Sequence, residues 1–398
     1  MRDQRLDKLA RVLVEYSTEV KPGQLVRITG DPISLPLMEA IYEAAINVGA
    51  HPYLKCSPAS LEDRFFEIAS DAQLKYLNPL SKYEIETIDV SIGIWAETNT
   101  KSRSRIDPVR QGIASAARKP IFKTFMERAA AADEPIEGVK PLKWCGTLYP
   151  TEASAQDAEM SIHQYEDFVF GAGFLDQDDP VAAWTQIKER QQLVVDRLMG
   201  SKEVHFQSDN GTDLLVNVEG MKWINCCGEC NFPDGEVFTG PNLNAPDGGV
   251  NGVARYHFPA VHNGREVHDI ELTFEGGKVV NAKASKNQDF LIAMLDQDPG
   301  ARFLGEIAIG TNYNILEYTK NTLFDEKIGG TFHAAVGEGY PESGNHNESG
   351  LHWDMVCDLR DGGTISVDGE LISKDGRFLF DGWPGADEEP ETAQAATV

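Results

Sequence analysis

The 398-residue chain is short of positive charge. It has 36 lysines and arginines against 63 aspartates and glutamates, a formal net charge of −27. Such an excess repels nucleic acid and anionic membrane surfaces, so neither is expected as a partner. It is compatible with a cationic ligand or with metal ions. Long apolar runs are missing too: none approaches the ~20 residues that a membrane-spanning helix needs. The opening stretch "MRDQRLDKLARVLVEYSTEVKPG" spaces charges among apolar residues and lacks the apolar centre of a signal peptide. A soluble, cytoplasmic protein is the expectation. Cysteine is scarce, at six. Cys226, Cys227 and Cys230 cluster in "NCCGECNFPDG", but no second short-spaced cysteine or histidine pair accompanies them. That argues against a structural zinc and for reduced, buried thiols. The loop "ITGDP" lacks the glycine pattern of a dinucleotide site, and no helical His-Glu-x-x-His pair is present.

What is there reads as α/β. The runs "GQLVRITG", "HPYLKC" and "IDVSIGIWA" are strand-like. They alternate with helical patterns in "SLPLMEAIYEAAINVGA", which closes on Gly49, and "DPVRQGIASAARKPIFKTFMERAAAA". This alternation predicts an N-terminal α/β domain, residues 1–190, with a mostly parallel sheet. "EASAQDAEMSIHQYEDFVFGAG" and "DPVAAWTQIKERQQLVVDRLMG" continue the helical spacing. Beyond them the chain turns strand-rich, with turn signals between the strands. This predicts a strand-rich α+β domain over residues 191–384. The tail at 385–398, "GADEEPETAQAATV", is acidic and poor in large apolar residues, the composition of a disordered segment.

Five polar residues in the strand-rich half stand in apolar company. Glu236 lies in "FPDGEVFTGP", Glu306 in "FLGEIAIG", His333 in "TFHAAVG", and His352 and Asp354 in "GLHWDMVCD". An ionised carboxylate inside an apolar strand is costly unless paired or metal-bound. Side chains alternate faces along a strand, so His352 and Asp354 point one way and Leu351, Trp353 and Met355 the other. Two histidines and three carboxylates suit divalent metals, and a dinuclear site would use one carboxylate as a bridge. Tyr340, in a glycine-flanked loop, is placed to donate to a developing oxyanion. Glu338, Glu342, His346 and Glu348 are weaker candidates. The remaining histidines lack such partners and read as structural.

At these residues the chain resembles the aminopeptidase T family of metallopeptidases, the thermophilic leucyl aminopeptidase group. The motifs that carry the resemblance are "NFPDGEVFTGP", "LGEIAIGTN", "FHAAVGEGYP" and "NESGLHWDMVCDLR". "LYPTEASAQDAEMS", "YEDFVFGAG" and "VKPGQLVRITG" support it. Together they run from about residue 10 to about residue 375. The resemblance implies a homodimer that removes the N-terminal residue from peptides with a free N-terminus. It implies two divalent metal ions per chain, cobalt, zinc, manganese or magnesium, and an activated water. The ligands carry over onto Glu236, Glu306, His333, His352 and Asp354, and Tyr340 matches the active-site tyrosine; Glu306, at the centre of its apolar strand, is the choice for the bridging carboxylate. Met221 in "VEGMKW", where a basic residue is expected, and the loop "GNHNES" depart from the family pattern and bear on substrate preference. Two other functions fit parts of the pattern. His333, His352 and Asp354 are also the ligand set of a mononuclear iron oxygenase, as in the ring-cleaving dihydroxypyridine dioxygenase that shares the family fold. A non-catalytic binding protein on a peptidase fold is the other.

Overall fold

Five parallel strands form the first sheet, in the order His51–Cys56, Leu25–Gly30, Val90–Trp95, Lys143–Leu148, Asn231–Phe232. The computed structural model that shows them describes residues 2–383 other than Asn263. The expected acidic tail at 385–398 lies outside the described residues. Strand-to-strand crossovers run through helices, as parallel pairing requires. The helix Leu35–Asn47 buries Leu37, Met38, Ile41 and Ala45 at three- and four-residue spacing. It ends before Gly49, whose φ of +83° breaks the helical path. Val26, Ile28, Val90 and Ile92 are fully buried beneath it, which explains the near-continuous apolar runs of these strands. The stretch 152–172 is two helices, Glu152–Asp157 and Ile162–Ala172. Ser161 caps the second one by accepting from Gln164 N, so the helical pattern restarts there.

Most strands of the second half form two antiparallel sheets packed face to face, and Ala260–His262 and Arg265–Val267 pair separately. One has eight strands, centred on Glu203–Ser208 and Thr212–Asn217. The other has five, in the order His352–Asp358, Thr331–Gly337, Leu304–Gly310, Glu236–Thr239, Ile224–Cys226. Val204, Phe206, Leu214 and Val216 from the first meet Ile307, Ile309, Phe332, Trp353 and Met355 from the second. The rings of Phe206 and Phe332 stack at 4.4 Å. One face of the five-stranded sheet is thus spent on this core.

Two segments of the second half reach across to the first. Asn231–Phe232 adds a short edge strand to the parallel sheet. Phe232, Ile315, Leu323, Phe324 and Ile328 join the core built around Val26, Ile92 and Tyr165. Asn312 fixes the crossing by donating to the carbonyls of Ala172 (3.0 Å) and Asp234 (2.8 Å). A β-carbon at Gly235 would lie 2.5 Å from that of Asn312, so only glycine allows the approach. The strand carrying Glu236 starts at the next residue. Among the described residues no helix is long and apolar enough to cross a membrane.

Candidate metal centre

The five predicted site residues all project from the free face of the five-stranded sheet. Register explains how. Glu306 pairs with Ala335, which pairs with Asp354; Ala308 pairs with His333; Gly337 pairs with His352; Gly310 pairs with Glu236. Every residue of this row therefore shares one face. On that face the polar groups alternate with Ala308, Gly310, Ala335 and Gly337, whose lack of bulk leaves space above the sheet. Trp353 and Met355 point into the core on the other side. His352 and Asp354 are neighbours because only one face of their strand is available to polar groups.

The side chains converge. His333 Nε2 lies 3.4 Å from Glu236 Oε2 and 3.6 Å from Glu306 Oε1. His352 Nε2 lies 3.4 Å from Glu306 Oε2 and 3.4 Å from Asp354 Oδ1. His333 Nδ1 donates to the carbonyl of Glu326 at 3.0 Å, and His352 Nδ1 donates to that of Glu338 at 2.9 Å. A carbonyl can only accept, so each Nδ1 carries a proton, and in the neutral ring each Nε2 lone pair faces the carboxylate oxygens, leaving a cation or a proton to sit between them. His333 Nε2 and Glu236 Oε2 are buried with no hydrogen-bond partner. Acceptors that face each other in a buried site need a cation or protons between them. The donor chemistry, imidazole nitrogen with carboxylate oxygen, fits a divalent metal such as zinc or cobalt.

Without such an ion, protons take its place. Burial pulls His352 down, but Asp354 and Glu306 outweigh it and push it up to about 12. His333 rises to about 9 against its own burial, through Glu306 and Glu236. Burial pushes Glu236 up to about 8, although Lys327 opposes it. Tyr340 packs edge-on against His352 at 5.1 Å and Phe238 at 5.4 Å. Burial and the neighbouring carboxylates raise its hydroxyl, which stays protonated and able to donate.

Three groups at the site carry no strand signal in the sequence. Glu326 lies with His333 and Asp354 in one compact donor set, and Asp234 lies with Cys226 and Glu236 in another, each within 4.8 Å. Lys327, fully buried, contacts Glu236 at 2.9 Å and also touches Glu326. Glu326 and Lys327 come from the loop before the His333 strand, where the only hint is the charged run in "FDEKIGG". Of the weaker candidates, Glu338 accepts from Ser349 N through its carboxylate. None of the six cysteines is in a disulfide; Cys145, Cys227 and Cys357 are buried as expected, whereas Cys56 and Cys230 are exposed.

A cavity of about 430 Å³ opens at the carboxyl ends of the parallel strands, bordered by Trp95, Leu148, Lys101, Glu266 and Lys320, and it reaches Glu326. A smaller recess continues past Val261 and Glu326 to Asp354. The polar face of the five-stranded sheet thus borders this recess at Asp354. Open α/β sheets commonly take ligands at this end.

Comparison with known proteins agrees with this architecture. The model of the thermophilic metalloprotease (M29) family matches residues 2–378. Aminopeptidase 2 of Geobacillus stearothermophilus is 27% identical, over 94% of this chain and 95% of its own. The solved structure of wild-type AmpT from Thermus thermophilus superposes with a TM-score of 0.77 at 24% identity, covering 95% of this chain and 99% of that one. The 2,5-dihydroxypyridine dioxygenase of Pseudomonas putida KT2440 superposes with a TM-score of 0.56 at 14% identity, over 94% and 96%. Both structural likenesses speak to the fold. The match along nearly all of the sequence decides the family: the chain belongs to the thermophilic metalloproteases (M29).

Proposed function

We propose that this metal-dependent peptide-bond hydrolase is an aminopeptidase with a dinuclear centre, held by Glu236, Glu306, His333, His352 and Asp354. One observation carries the reading: Glu306 turns one carboxylate oxygen towards His333 and the other towards His352. A carboxylate shared in this way would bridge two cation positions. On one side stand Glu236 and His333, on the other His352 and Asp354. Glu326 is a further donor beside His333 and Asp354. When bound, divalent ions supply an acidified water and polarise the scissile carbonyl.

The chain's own residues do the rest. The Nδ1 contacts to backbone carbonyls fix both imidazoles in the tautomer that presents Nε2. Tyr340 donates its hydroxyl to the oxygen that gains charge as the carbonyl is attacked. The carboxylate-rich face attracts the free amine of the substrate, which favours cleavage of the first residue. The cavity towards Trp95 and Lys320 takes the remainder of the peptide. By likeness to the aminopeptidases, we infer a cytoplasmic homodimer that works with cobalt, zinc, manganese or magnesium. We further propose an N-terminal domain over 1–190 and a catalytic domain over 191–384, with Phe232, Ile315, Leu323, Phe324 and Ile328 of the second packing into the core of the first.

Metal analysis combined with hydrolysis of a leucyl reporter amide tests the reading. Two divalent ions per chain and metal-dependent release of the leaving group are expected. One iron per chain with no amide hydrolysis would instead fit an oxygenase, and would leave the close approach of Glu236 and Glu306 to His333 without a purpose.

A further inference from the structure

The five ligands do not use Lys327. Its side chain is wholly buried, yet its ammonium reaches three carboxylates: Glu236 at 2.9 Å, Asp234 at 3.9 Å, and Glu326. A simple buried ion pair needs one partner. Moreover, four donor sets overlap: Cys226, Asp234 and Glu236; Glu236, Glu306 and His333; Glu306, His352 and Asp354; and Glu326, His333 and Asp354, which joins the second set to the third. Glu236 and Glu306 each belong to two neighbouring sets. Lys327 ends beside the first set and touches two of its three members.

Charge points the same way. The linked cluster holds five carboxylates, Asp234, Glu236, Glu306, Glu326 and Asp354, and one ammonium. Fully ionised, it carries four negative charges in excess, which two divalent cations neutralise. Buried charges left without partners are strongly disfavoured, so the balance matters. Were the ammonium absent, one carboxylate would remain uncompensated. The adjacent Cys226 sulfur, a soft ligand, would then complete a site attractive to zinc or cobalt.

We propose that Lys327 is the resident cation of a third cation position, which it closes to metal, so that exchangeable ions are confined to the two sets that share Glu306. Lys327 is a positioning residue: by holding Glu236 Oε1 it leaves Oε2 facing His333. The inference rests on the dinuclear reading for those two sets.

Cobalt(II) binding to the full chain, followed by metal content and near-ultraviolet absorption, tests it. The unaltered chain is expected to bind two cobalt ions with no thiolate-to-cobalt band. Lys327→Ala is expected to bind one more ion and to gain that band, and Cys226→Ala in the same background to lose it. Unchanged stoichiometry and no band in Lys327→Ala would overturn the proposal. So would a third ion or a thiolate band in the unaltered chain, a result that depends on no variant folding. A chain that binds two cobalt ions but leaves the leucyl amide intact would overturn the aminopeptidase reading alone.

Discussion

Glu236 Oε2 faces His333 Nε2 at 3.4 Å, and neither atom makes a hydrogen bond. With His333 Nδ1 committed to the Glu326 carbonyl, the pair is two acceptors at close range. Such a pair is stable only around a shared cation or proton. The same arrangement recurs one step along the sheet, between His352 and Asp354, and Glu306 links the two.

Glu306→Gln therefore has a specific expected outcome. It removes charge from both proposed cation positions at nearly constant shape. Metal content should fall at both positions together. Hydrolysis should fall by more than the ~10–100-fold typical of losing an outer hydrogen-bond partner of a metal ligand. Elemental analysis and leucyl amide turnover measure this, with thermal unfolding as the check on folding. A variant that loses one ion and keeps the other would argue against a bridging role.

Metal loading should depend steeply on pH. In the metal-free chain the carboxylates around His333 and His352 overcome burial and raise them to about 9 and about 12. Both are protonated at neutral pH, and a metal must displace those protons. Raising the pH removes the competitor, so affinity rises towards alkaline pH and falls on acidification. Cobalt affinity measured from about pH 6 to about pH 9, with proton release in weak buffer, follows the effect. An affinity flat over this range would show that the imidazoles are not displaced.

Tyr340→Phe separates chemistry from metal binding. The hydroxyl is raised by burial and by Glu306 and Asp354, so it stays protonated, as the proposed donor role requires. Its loss should lower kcat by about 10²–10³, the usual cost of one oxyanion donor. Metal content should not change, because the ring, not the hydroxyl, packs on His352 and Phe238. Loss of metal along with kcat would place Tyr340 among the groups that hold the ions.

The sequence made much of this legible where local pattern and burial agree. Period-two alternation in "GLHWDMVCD" put His352 and Asp354 on one face, because the opposite face had to fill a core with Trp353 and Met355. An apolar run marked Val90–Trp95 because that strand is largely buried in the middle of the sheet, whereas the edge strand His51–Cys56 has no buried residue. The contributions of loops were not legible. Glu326, Lys327 and Asp234 sit at the site through chain crossings fixed by Asn312 and Gly235, contacts that join residues far apart in sequence. Asn231–Phe232 was equally hidden: two residues are too few for a periodic signal, and only the neighbouring Lys143–Leu148 strand makes them part of a sheet.

Glu266 offers a test away from the metal. It sits at the cavity wall on the short strand Arg265–Val267. Lys286 is 3.1 Å away, His268 3.2 Å, Lys320 4.0 Å, and Lys101, on the parallel-sheet side, 4.0 Å. The hydrogen bond from His268, followed by that from Lys286, holds its carboxyl down at about 2 despite partial burial. A carboxyl lowered in the folded state stabilises the fold above its unfolded value of 4.5. That contribution is lost as the pH falls from there towards 2. Glu266→Gln should lower the unfolding temperature near neutral pH by about 1 °C, the shift expected from roughly 1 kcal/mol in a chain of this size. The difference between the two proteins should shrink as the pH drops from about 5 to about 3. Thermal unfolding at several pH values measures it, and a constant difference across that range would mean that Glu266 acts through packing and not through its charge.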